Sequence, residues 1–62
     1  MIRYYTVNID YANGYDNDYS FHHYEQAKAK FDNVKNLTGV TYVSLTSTDD
    51  KEGDKVLERW EK

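Results

Sequence analysis

The sequence contains no cysteine and no proline, and glycine occurs only three times. Without cysteine there is neither a disulfide nor a thiolate-bound metal, two of the devices that hold very small domains together. Without proline no strand loses a ladder donor and no helix is broken from within. Basic charge is also short, with eight Lys and Arg against eleven Asp and Glu and a net charge of -3. Contact with phosphates needs clustered cations, so nucleic acid is not expected as a direct ligand. No apolar run approaches the roughly 20 residues that cross a bilayer. The opening Met1-Ile2-Arg3-Tyr4-Tyr5 lacks the hydrophobic region of a secretory signal. The expectation is a cytoplasmic chain with no membrane partner.

What remains is one domain, residues 1–62, of a size that buries only about 60% of the surface its unfolded chain exposes. A charged fraction of 31% and a mean hydropathy of -0.99 lean towards disorder. Seven Tyr, two Phe and one Trp lean the other way, because aromatic rings bury large areas. The clear periodicities decide for a folded chain.

Residues 2–11 alternate. Tyr5, Val7, Ile9 and Tyr11 share an apolar face, while Tyr4, Thr6, Asn8 and Asp10 share the other, which is the pattern of a strand. Ala12-Asn13-Gly14 is a turn signal. A two-residue loop would set Val7 against Ser20 and Ile9 against Asp18, with polar residues on the core face. A three-residue loop sets Val7 against Tyr19 and Tyr5 against Phe21, with Gly14 in the left-handed position, and is preferred. The second strand is then about Tyr15–Phe21. From residue 23 the period changes: Tyr24, Ala27, Phe31 and Val34 form one helical stripe over 23–35. Either His22 or His23 must serve as a weak N-cap. Asn36 is expected in the left-handed position after the helix, with Leu37 packed back on Phe31. Val40–Thr48 reads as a third strand and Lys55–Glu61 as a fourth. A loop over Asp50–Gly53 pairs Val43 with Trp60 and Ser47 with Val56, which places Val56 and Trp60 on the core face. Helix is the competing reading of 54–62, since Glu, Lys, Leu and Arg favour it. The order β-β-α-β-β predicts an α+β fold, a four-stranded antiparallel sheet with one helix packed on one face.

No catalytic, cofactor or metal site is expected. His22 and His23 are adjacent, point in different directions and cannot share one ion, and no further ligands are suitably spaced. Ser20 with His23 lacks a third group and an oxyanion hole. Asp49-Asp50-Lys51-Glu52-Gly53-Asp54 fails the spacing of a calcium loop. Asn36-Leu37-Thr38 matches a glycosylation sequon, which means little without a secretory signal.

Two surfaces are candidates for binding a partner. One is the sheet face turned away from the helix, carrying Tyr4, Thr6, Tyr42, Ser44, Leu57 and Arg59. Such faces are commonly polar, and Tyr, Leu and Arg give this one the character of a contact surface. The other is the set of acidic clusters, Asp16 and Asp18 and above all the turn with Asp49, Asp50, Glu52 and Asp54, whose carboxylates can steer association with a basic surface.

The segments VNIDYANGY, FHHYEQAKAKF, GVTYVSL and KVLERWEK, with the richness in Asn, Lys, Asp and Tyr, resemble the short acidic proteins of phages and prophages in low-GC bacteria. That resemblance implies a host-takeover or anti-defence factor, anti-CRISPR proteins included, that works by occupying the surface of a host enzyme. Two functions are therefore expected to compete. One is an inhibitor or modulator of a host nucleic-acid-handling protein, with the acidic turns standing in for phosphates and the tyrosines supplying rigid contact area. The other is a self-associating homodimer without a foreign ligand.

Overall fold

The computed structural model describes residues 3–62, so the expected strand start at Ile2 lies outside the described residues. These form β1 (Arg3–Tyr11), β2 (Asp16–Phe21), α1 (Tyr24–Val34), β3 (Val40–Asp49) and β4 (Gly53–Glu61). The strands make one antiparallel sheet in the order β2-β1-β3-β4. The two hairpins thus meet through β1 and β3, and the helix that links them lies over one face.

The first hairpin has the register that the three-residue loop requires, with Val7 opposite Tyr19 and Tyr5 opposite Phe21. Its turn closes through Tyr11 N–H to the Tyr15 carbonyl at 2.8 Å, and Gly14 has a φ of 91°. On the helix face, Val7, Ile9, Ala27, Phe31, Val34, Val40, Val43 and Leu45 are buried in one core, with Tyr5, Tyr11, Phe21 and Trp60 around its margin. Tyr24, the first member of the helical stripe, lies at the rim and is 40% exposed, its ring set edge-on to Tyr5 at 5.8 Å. The helix begins after His23, whose backbone is extended and whose side chain makes no capping bond.

Two expectations are corrected. Asn36 is not left-handed: among the described residues only Gly14, Gly39 and Gly53 have positive φ. The helix end is instead closed by Leu37 N–H to the Val34 carbonyl and by the Asn36 amide to the Asp32 carbonyl, and the reversal is made at Gly39. Leu37 is left 53% exposed.

The second correction is Val56, which is 57% exposed rather than part of the core. Val43 does pair with Trp60, but the register shifts between Leu45 and Thr46, so that Thr46 faces Val56 and Leu57 is left as the extra residue of a β-bulge. The reason lies at the turn. The unbulged register would set Asp54 opposite Asp49, two like charges on the core side. The bulged one sets Gly53 opposite Asp49 and Asp54 opposite Thr48, whose hydroxyl donates to the Asp54 carboxylate at 2.8 Å.

Candidate interaction face

The registers define the sheet face opposite the helix row by row. Asp16, Asp10, Tyr42 and Glu61 lie side by side at one end. The next row is Asp18, Asn8, Ser44 and Arg59, followed by Ser20, Thr6, Thr46 and Val56. Tyr4, Thr48 and Asp54 stand at the far end, beside the β3–β4 turn. Neighbouring strands are about 4.8 Å apart and successive same-face residues about 7 Å apart. The carboxylates of Asp10, Asp16 and Asp18 are therefore held on a short lattice.

Little of this face is apolar. Tyr4 is 36% and Leu57 39% exposed. Tyr42 and Thr6 are half-buried, with the Thr6 hydroxyl 3.5 Å from that of Ser20. Ser44 is buried and takes the Asn8 amide at 3.5 Å, so it has almost no surface to offer. Arg59 is exposed. Of the turn residues, Asp50, Glu52 and Asp54 are exposed, but Asp49 is buried on the helix side. Its carboxylate accepts from Lys51 N–H at 2.7 Å and from Arg3 Nη2 at 2.9 Å. These two donors hold the Asp49 carboxyl below its ordinary range, the backbone bond contributing most. Asp49 is thus a structural group of the hairpin, while Asp50 and Glu52 stand at the opposite end of the sheet from Asp10 and Asp16.

Charge is unevenly distributed between the two sides of the sheet. Among the described residues Asp10, Asp16, Asp18, Asp54 and Glu61 face outward with one base, Arg59, a balance more negative than the chain's whole net charge of -3. The ion pairs among the described residues all lie on the other side: Arg3–Asp49, Lys28–Asp32, Lys28–Glu58 and Lys35–Asp32. There, Lys35 and then Lys28 lower the Asp32 carboxyl, and Glu58 raises the Lys28 ammonium. No lysine or arginine among the described residues pairs with Asp10, Asp16 or Asp18. Asp10 and Asp16 stand directly opposite each other, an arrangement that destabilises a sheet. A shallow groove of about 240 Å³ between them is lined by Asn8, Ile9, Asp10, Asp16, Asn17 and Asp18.

Sequence reasoning singled out the tyrosines, the β3–β4 turn and the Asp16 and Asp18 pair, but not the row that Asp16 forms with Asp10 and Glu61. These residues belong to three strands and become neighbours only once β2, β1, β3 and β4 are in register. The signal available in the sequence was the outward parity of Asp10 with the adjoining Asp16 and Asp18. No group of three or more His, Asp or Glu among the described residues is placed to hold a metal ion, and no helix among them is long and apolar enough to cross a membrane. No protein-family model matches the chain, and no curated protein or solved structure matches it.

Proposed function

We propose that the chain is a non-catalytic binding module whose acidic sheet face docks on the basic nucleic-acid-binding surface of another protein, and so inhibits or modulates it. The observation that carries this reading is the set of unpaired outward carboxylates at Asp10, Asp16 and Asp18. Like charges set side by side without a counter-ion cost stability, and such a cost is expected where a function requires it. A lattice of fixed carboxylates presents to a cationic groove what a phosphate backbone presents: several negative charges at regular spacing. Clustered charge also raises the association rate with an oppositely charged partner. Asn8, Thr6 and Thr46 supply hydrogen-bonding groups between the charges, and Tyr42, between Asp10 and Glu61, supplies a rigid aromatic contact.

The resemblance to short phage proteins supports the reading that such a module acts in a bacterial host cell on a host enzyme that handles nucleic acid. A second copy laid face to face on the first is the weaker reading, because it would bring the same carboxylates of both copies together.

The test is capture from a bacterial lysate on immobilised protein, beside the Asp10→Asn/Asp16→Asn/Asp18→Asn variant. The expected result is retention of a nucleic-acid-binding protein that is released by added duplex DNA and lost with the variant. Equal capture by both proteins, undisturbed by DNA, would contradict the proposal.

A further inference from the structure

The sheet has two open edges, β2 and β4, and they differ in what they offer to another strand. β2 is guarded by Asp16 and Asp18, charges of one sign that repel a second strand of the same kind. β4 carries alternating signs around an apolar centre: Asp54, Lys55, Val56, Leu57, Glu58, Arg59. Its two central residues are 57% and 39% exposed. Lys62 N–H donates to the Thr41 carbonyl at 2.9 Å. By alternation, the backbone groups of Arg59 and Glu61, and beyond the bulge those of Asp54, point away from β3 to the open edge.

We infer that β4 is a self-association edge, and that two copies join there antiparallel across a two-fold axis passing between Val56 and Leu57. In this register Asp54 of each copy meets Arg59 of the other, Lys55 meets Glu58, and Val56 meets Leu57. Four opposite-charge contacts thus flank an apolar centre. Sliding the strands by one residue is resisted in both directions, since one slip sets Asp54 against Glu58 and the other sets Lys55 against Arg59.

The bulge is what makes the pairing possible. In a regular strand Asp54 and Arg59 lie on opposite faces, because their separation is odd, and could not meet across an antiparallel ladder. The extra residue Leu57 cancels that difference. Asp54, opposite Thr48, and Arg59, opposite Ser44, both lie on the outer face, while Lys55, opposite Ser47, and Glu58, opposite Leu45, both lie on the helix face. Each charged pair therefore meets its complement on its own side of the joined sheet. The result is a continuous eight-stranded sheet with both helices on one side.

This inference stands without the proposed partner, but it bears on it. The seam would occupy Arg59, the one base of the outer face among the described residues, and leave Asp10, Asp16, Asp18 and Glu61 of both copies on one doubled acidic surface. An isologous contact of this kind is the commonest form of oligomer. A single strand edge is small, so its Kd is expected at about 10 µM to 1 mM.

Sedimentation equilibrium of the wild type, of Asp54→Arg, of Arg59→Glu and of their equimolar mixture tests it. Far-UV circular dichroism first confirms that each variant is folded, and if either does not fold the two are replaced together by the complementary pair Lys55→Glu and Glu58→Lys. The wild type should rise from 7.4 kDa towards twice that mass with concentration. Each variant alone should stay monomeric, since each sets like charges across the seam. The mixture should dimerise again, because its two chains are mutually complementary. A wild type that remains monomeric up to about 1 mM, or variants that dimerise alone as the wild type does, or a mixture that stays monomeric, would each overturn the inference.

Discussion

Arg3 and Asp49 face each other across β1 and β3 at the β3–β4 turn, with Arg3 Nη2 2.9 Å and Nε 3.3 Å from the same carboxylate oxygen. The other carboxylate oxygen takes the N–H of Lys51. One side chain thereby fixes the start of the last hairpin and the end of the central strand pair.

Acid should loosen this arrangement. The Asp49 carboxyl is held below its ordinary value of 3.8 by the Lys51 N–H first and Arg3 second. A carboxyl lowered in the folded chain contributes stability that is fully present above its unfolded pKa and lost as pH falls through its folded one. Melting temperature should therefore decline below about pH 4 in the wild type, and decline less steeply in Asp49→Asn, which starts from a lower value at neutral pH. Thermal melts from pH 7 to pH 2 check this; parallel profiles for the two proteins would show that Asp49 does not contribute.

Phe31 is the largest side chain of the buried helical stripe, 2% exposed beneath the stems of Lys28 and Lys35, whose ammonium groups lie 5.0 and 5.5 Å from its ring centre. Phe31→Ala leaves a cavity and should cost about 3–5 kcal/mol. For a domain of this length that lowers Tm by about 10 °C or more, and denaturant titration should show the same loss. A Tm within a degree or two of wild type would mean that the helix packs by another face.

Gly53 has a φ of 75°, and a Cβ there would meet nothing within 4 Å. Gly53→Ala therefore incurs backbone strain without a clash, about 1–2 kcal/mol. Gly53→Asn should lose less, since Asn tolerates this conformation. Chemical denaturation of the two variants gives the comparison, and equal stability of Gly53→Ala and wild type would exclude a left-handed Gly53.

Much of the fold was legible because local rules agreed with one another. The Ala12-Asn13-Gly14 turn, the outward parity of Asn8 and Asp10 and the stripe of Ala27, Phe31 and Val34 each specified one arrangement, and the arrangements were compatible. Val56 was misplaced because its face depends on a bulge, and the bulge depends on keeping Asp54 away from Asp49, which are neighbours only after the hairpin forms. Asn36 was misplaced because Gly39, three residues on, takes the left-handed conformation more cheaply. Asp16 and Asp18 were legible as an acidic cluster, but their joining with Asp10 and Glu61 was not, for the same kind of reason: Asp16, Asp10 and Glu61 share an end of the sheet only through the β1–β3 pairing, a contact between distant segments. Tyr4, Tyr42 and Leu57 do lie on or beside the outer face, but Ser44 and Asp49 are buried, and the exposed character of the face is set more by carboxylates than by aromatic rings.

We propose that the carboxylates of β1 and β2, with Glu61, form the surface that meets a basic partner. Backbone amide shift mapping with a short oligo-arginine peptide as probe tests it most directly. Shift changes should concentrate at Asp10, Asp16, Asp18, Tyr42 and Glu61, weaken steeply with added salt, and vanish in the Asp10→Asn/Asp16→Asn/Asp18→Asn variant. Changes centred instead on Asp50 and Glu52, or undiminished in that variant, would contradict the account.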